Sequence, residues 1–231
     1  MLKHIRRLSV ILWVALLSLV SLGLLQACGD EYAQPRKVLS ETREDVLVGE
    51  SEHFSITVYL GQREDPYALD GTANPLTAYC LVIVTPKFDT EEADQLTARL
   101  AAGGQTFTAV LARHPYNGQY AADIPEADLS SGAAQINVTG QHYDEDVTVR
   151  TLRQEGDMTM EEAFRKGLAD LAEPLAGTLQ NGEYACEIQV RLAERPDGKL
   201  FWHVLICDRQ GGMFAVLYDV REGGTETQSQ S

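Results

Sequence analysis

The chain reads as a mainly β protein with a smaller α+β part: an antiparallel β-sandwich followed by a helix packed on a three-stranded antiparallel meander. Three observations predict this. Seven short apolar or alternating runs, split by Gly, Pro, Asn and Asp, fill residues 52–152. A one-sided apolar stripe of helical period follows from Thr159. Three further alternating runs, joined by two tight reversals, carry the chain to about residue 223.

The N-terminus is a separate matter. Lys3, Arg6 and Arg7 precede an apolar run at residues 8–25, "LSVILWVALLSLVSLGLL", and no acid occurs before Asp30, which is the layout of an export signal. An uncleaved transmembrane helix is the rival reading, since those residues at about 1.5 Å rise span roughly 27 Å, barely a bilayer core. The run ends in Leu25-Gln26-Ala27-Cys28, which resembles the lipobox of bacterial lipoproteins: Leu third before the cut, a small residue just before it, and Cys after it. The resemblance implies that residues 1–27 are a signal peptide and that Cys28 is the site of lipid attachment and the mature N-terminus. The mature protein is then held on the cell membrane facing outside the cytoplasm. Two or three acyl chains give lasting attachment where one does not. Residues 28–49 are polar, carry Pro35 and show no sustained period, so they read as a tether; about twenty flexible residues average roughly 25 Å end to end.

Charge narrows the partners. The net charge is −15, and loss of Lys3, Arg6 and Arg7 leaves 16 Lys plus Arg against 34 Asp plus Glu, a net −18. Such a surface is repelled by nucleic acid and by anionic headgroups, so no nucleic-acid role is expected and membrane contact falls to the anchor alone. Cys80, Cys186 and Cys207 remain, an odd set that allows at most one disulfide. Each lies in an apolar, strand-like run where a cysteine behaves as a small hydrophobe, and no Cys-x-x-Cys or neighbouring His suggests zinc or redox chemistry.

In residues 50–152 the runs are "HFSITVYL", "LTAYCLVIVTPKF", "QLTARLAA", "QTFTAVLA", "GQYAADIP", "AAQINVTG" and "DVTVRTL". Seven strands at this spacing predict a sandwich of immunoglobulin-like type, in architecture only, because the Cys-Trp-Cys signature is missing. Residues 89–100, "DTEEADQLTARL", admit a helix capped by Asp89 instead.

Residues 153–223 form the α+β unit. Thr159 with Glu162 makes a capping box, and Met160, Phe164, Leu168, Leu171 and Leu175 lie on one helical face until Pro174 ends or kinks it. "RPDG" at 195–198 is a turn with Gly198 at a left-handed bulge position, which pairs Leu192 with Trp202, Val190 with Val204 and Ile188 with Ile206. That register puts Cys186 and Cys207 on opposite faces and predicts no disulfide between them. The helix "TMEEAFRKGLADLAE" and the strands "FWHVLICDRQGGMFAVLYDVREGG" resemble the PepSY domain, from which Pro174 and the extra "LAGTLQN" depart. The resemblance implies a small extracytoplasmic interaction domain with no catalytic residues to carry over. Residues 224–231 read as a disordered tail.

Candidate chemistry is sparse. His142, Asp144 and Asp146, two apart in "QHYDEDV", would share one strand face as a weak metal site, against the plainer reading of a solvated hairpin tip. His203 with Asp219 is a conceivable acid–base pair without a nucleophile motif. Tyr116, Tyr120 and Tyr143 sit near loops, where aromatics build platforms for sugars or peptides. No catalytic residue and no cofactor is expected. The residues point to a lipid-anchored extracytoplasmic binding or assembly module of the bacterial envelope, its partner a protein, peptide or glycan. The alternatives are an envelope hydrolase and the lipid-tethered ligand receptor of a transport system, the latter disfavoured by the lack of a βαβ pattern.

Overall fold

The structure, a computed structural model, describes residues 31–88, 95–129, 131–195 and 197–228, with backbone alone at 225–228. Residues 1–27, expected to be a signal peptide, and Cys28 lie outside these. Two compact units divide the chain, Met1–Lys37 and Val38–Ser231. In the first, the described residues make a turn, with Arg36 N–H donating to the Tyr32 carbonyl at 3.0 Å.

The second unit opens with eight strands: β1 (Leu39–Glu50), β2 (Phe54–Glu64), β3 (Leu76–Pro86), β4 (Leu96–Ala102), β5 (Gln105–Arg113), β6 (Tyr120–Asp123), β7 (Ala133–Thr139) and β8 (Asp144–Thr151). Two helices follow, α1 (Met160–Asp170) and α2 (Ala172–Gly177), then the short hairpin β9 (Leu179–Gln180) and β10 (Glu183–Tyr184). Four strands end the described chain: β11 (Cys186–Glu194), β12 (Leu200–Asp208), β13 (Met213–Asp219) and β14 (Thr225–Gln228).

The first eight strands close on themselves in the order β1-β2-β3-β6-β5-β4-β7-β8, with β8 pairing back onto β1 through Leu47 opposite Thr151 and Val48 opposite Arg150. Every neighbouring pair in this ring is antiparallel. This is an eight-stranded β-barrel, and the immunoglobulin-like sandwich expected from the sequence is incorrect. All seven expected strands are present; the eighth is β1, which occupies the second half of the stretch that reads as a tether in the sequence. Short antiparallel strands at even spacing suit a sandwich or a barrel equally, and it is the unforeseen strand that closes the ring. The barrel's inside is filled by alternate side chains, among them Phe54, Ile56, Val82, Leu100, Ile136 and Val147, each no more than 1% exposed.

β1 escapes notice because its first half is polar yet buried. Ser40, Glu41 and Thr42 are each no more than 4% exposed, since this half of β1 has neighbours on both edges, β2 on one and β11 on the other. The β1–β11 pairing is parallel, from Leu39 opposite Ile188 to Arg43 opposite Arg191. One strand thus belongs to the barrel and to the C-terminal part, and a single twelve-stranded sheet runs from β14 to β8. The expected boundary near residue 152 separates two regions of one sheet.

The C-terminal part follows its sequence pattern. Thr159 and Glu162 form the capping box, and Phe164 and Leu168 face the sheet. Leu171, at φ −104° and ψ 22°, ends α1, and Pro174 falls in the first turn of α2, where a missing N–H is tolerated. The β11–β12 register is the expected one: Ile188 opposite Ile206, Val190 opposite Val204, Leu192 opposite Trp202. Gly198 takes φ +78° at the turn. Cys186 lies opposite Asp208, and Glu187 opposite Cys207, so the two thiols are out of step and unbonded. Leu96–Ala102 is the expected strand and not part of the alternative helix over 89–100, of which residues 89–94 lie outside the described set. One expectation differs. Thr225–Gln228 adds strand β14 to β13, so the tail is ordered this far.

Candidate functional site

Three polar regions stand out on this frame. The first is on the outer wall of the barrel. Side chains alternate in and out along a strand, so while Leu100, Ile136 and Val147 fill the interior, Arg99, Asn137 and Asp146 line up outside in adjacent registers. With Gln135, Thr106 and Asp144 they line a concavity of about 420 Å³. Asn137 Nδ2 donates to Asp144 Oδ1 at 2.8 Å, which fixes the amide and the carboxylate for further hydrogen bonding. Of the residues read as a weak metal site, Asp144 and Asp146 share this wall, whereas His142 is exposed in the β7–β8 turn and does not line it. Among the described residues no three His, Cys, Asp or Glu side chains gather as a metal-ligand set.

The second region lies where the two parts of the sheet meet. Glu41, 4% exposed, accepts from the Tyr79 hydroxyl at 3.2 Å and from Arg43 at 3.3 Å, and Arg191 Nη1 stands 3.6 Å away. Arg43 lies over the Tyr59 ring at 4.2 Å from its centre and donates to the Tyr79 oxygen at 3.3 Å. Burial, followed by the charge of Glu41, pushes the Tyr79 hydroxyl up to about 12. His203 faces the same cluster from β12, opposite Arg191. Burial, then the charges of Arg191 and Arg43, holds its imidazole down at about 4, so it is neutral at pH 7. Asp219 is not its partner: the carboxylate accepts from the Arg221 and Glu222 N–H groups, each at 2.8 Å.

The third region caps one end of the barrel. Glu145 occupies an inward-facing register of β8, continuing the row of Val147 and Val149, and it pairs with His53 Nδ1. Tyr143 stacks on Phe88 with ring centres 4.4 Å apart, and both rings pack on His53. Hydrogen bonds from Ser51, then His53, hold the Glu145 carboxyl below its ordinary range.

The tyrosine platform does not form. Tyr116 is 92% exposed at a loop tip, Tyr120 is 1% exposed inside the barrel, and Tyr143 belongs to the cap. The thiols are tuned away from reactivity: burial, aided by Asp123, pushes Cys80 up to about 12, and burial also raises Cys186 and Cys207. The sequence pattern missed the Glu41 cluster and the His53–Glu145 cap. A signal was present for the second, since Glu145 sits at the parity of the apolar residues of its strand, where a charge needs a partner. Compared with known proteins, the chain matches no family model, no curated protein and no solved structure.

Proposed function

We propose that the chain is a lipid-anchored, extracytoplasmic binding module of the bacterial envelope, fixed through Cys28, that takes a hydroxyl-rich ligand such as a glycan on the outer wall of its barrel. One observation carries the binding part. The barrel's interior is packed with its own side chains, while guanidinium, amide and carboxylate groups converge outside in a concavity of about 420 Å³. Such planar groups on a rigid sheet match the paired hydroxyls of a sugar, and the volume falls within the range of small-ligand sites. The absence of a large apolar side chain from that lining disfavours an apolar peptide. A hydrolase is less well supported, because the described thiols are held as neutral groups and His203 is walled in beside two guanidinium groups. The anchor rests on Leu25-Gln26-Ala27-Cys28 behind a basic, then apolar, leader.

Two experiments test the two parts separately. Labelled palmitate should enter the wild-type chain and not Cys28→Ala; equal labelling of both removes the anchor. Purified cell-wall glycan fragments should bind the full chain, with affinity falling roughly tenfold or more in Asp146→Ala, by the cost of a lost charged hydrogen bond. Unchanged affinity in a folded Asp146→Ala removes the site.

A further inference from the structure

Residues 65–75, joining β2 to β3, form a strap across the face of the C-terminal strands turned away from the helices. Glu64, 1% exposed, fastens both ends of it: its carboxylate accepts from Ala68 N–H at 3.3 Å and from Asn74 N–H at 2.8 Å. At mid-strap Gly71 comes so near the β12–β13 turn that a Cβ on it would lie 2.6 Å from the Arg209 nitrogen. Its own N–H donates to Glu187 Oε1 at 2.8 Å, and Gln189 Nε2 donates to the Tyr67 oxygen at 3.1 Å.

Each of these two β11 residues then has one atom left over. Glu187 and Gln189 are both 0% exposed, yet Glu187 Oε2 and Gln189 Oε1 have no hydrogen-bond partner. Being two apart in a strand, they face the same side, under the strap. As placed, the Gln189 amide gives its nitrogen to the Tyr67 oxygen and keeps its own oxygen buried without a partner. Negative charge gathers at this spot. After burial itself, Glu187, Asp208 and Asp70 all push the neighbouring Cys207 thiol up.

We propose that Glu187 Oε2 and Gln189 Oε1 bind a monovalent alkali cation, Na⁺ or K⁺, which pins the strap to β11. Both donors are hard oxygens, the kind that alkali and alkaline-earth ions take and softer metals do not. Valence follows from charge balance. The two donor groups carry one negative charge between them, which a monovalent ion balances at the pair itself. The site is distinct from the outer-wall concavity and does not depend on the function proposed for it.

The test is thermal unfolding of the full chain in detergent, at one ionic strength, in sodium, potassium or tetramethylammonium chloride. A saturable rise in Tm of about 3–6 °C in sodium or potassium over tetramethylammonium is expected, from linkage in a chain of this size. The rise should vanish in Glu187→Gln and persist in the surface control Glu52→Gln. Equal Tm in all three salts overturns the proposal, as does a dependence on Ca²⁺ or Mg²⁺ alone that a chelator removes. Should Glu187→Gln fail to fold, wild-type crystals soaked in thallous ion decide: an anomalous peak at coordination distance from both oxygens supports the site, and no peak there overturns it.

Discussion

Gly61 stands opposite Arg43 where β1 bulges against β2, so close that a Cβ on it would lie 1.8 Å from the Thr42 carbonyl oxygen. Backbone, not a flexible side chain, would have to yield, and Arg43, beside the bulge, shares with Glu41 the cluster between the two parts of the sheet. Gly61→Ala is therefore expected to destabilise the protein by more than about 3 kcal/mol, beyond the range of an ordinary surface change. Urea unfolding of the variant measures it; a loss under 1 kcal/mol would show that β1 and β2 do not approach as described.

His203 gives the fold a pH dependence of definite sign. Its folded value is about 4 against an ordinary 6.5, through burial first and then Arg191 and Arg43. As pH falls below 6.5 the unfolded chain takes the proton and the folded chain does not. The stability held above pH 6.5 is thus lost progressively down to about pH 4, and by no more on further acidification, on the order of 3 kcal/mol in all. His203→Gln should flatten this window. Unfolding free energies of both proteins at pH 7.0, 5.5 and 4.5 provide the comparison, and parallel curves would contradict the placement of the ring.

The capping box at Thr159 offers a local measurement. Its hydroxyl accepts from the Glu162 N–H at 3.2 Å while the Glu162 carboxylate accepts from the Thr159 N–H at 2.8 Å. Thr159→Ala removes one half of this exchange and should cost about 1 kcal/mol. Glu162, held below its ordinary range by the Thr159 N–H and hydroxyl, should titrate higher in the variant by NMR.

Cys80 is a reporter of barrel opening. At 1% exposure, with its thiol pushed up to about 12, it should resist alkylation in the folded protein at pH 8 and react at the rate of an ordinary thiol in urea. Mass spectrometry of a timed iodoacetamide series reads this directly. Fast labelling without denaturant would mean that the barrel opens locally around β3.

What the residues announce in advance depends on how far their partners lie. The helix that begins at Thr159, its break at Pro174 and the pairing of Val190 with Val204 are all written in neighbouring positions, where periodicity and turn chemistry act. The step from sandwich to barrel was hidden because it rests on β1, whose Glu41 is held by Tyr79 of β3 and Arg191 of β11 as well as by its own neighbour Arg43. A buried polar strand has no apolar alternation to read. The outer wall was half legible: Asp144 and Asp146 share a face as their spacing requires, but Arg99 and Asn137 join them only through the register of β4 and β7. The orphaned oxygens of Glu187 and Gln189 leave no trace in a strand whose even positions are plainly apolar.

The shared strand also governs the order of events as the polypeptide is made. Ser40 bonds to the Ile188 carbonyl across 148 positions, and Leu47 waits for Thr151, so the first strand finds its last neighbours only when most of the chain has left the ribosome. High contact order of this kind places folding in the millisecond-to-second range and leaves two unsatisfied strand edges in the meantime. Such a nascent chain would depend on a holding chaperone, and cutting the gene after residue 152 would leave open for good the edge of β1 that β11 covers.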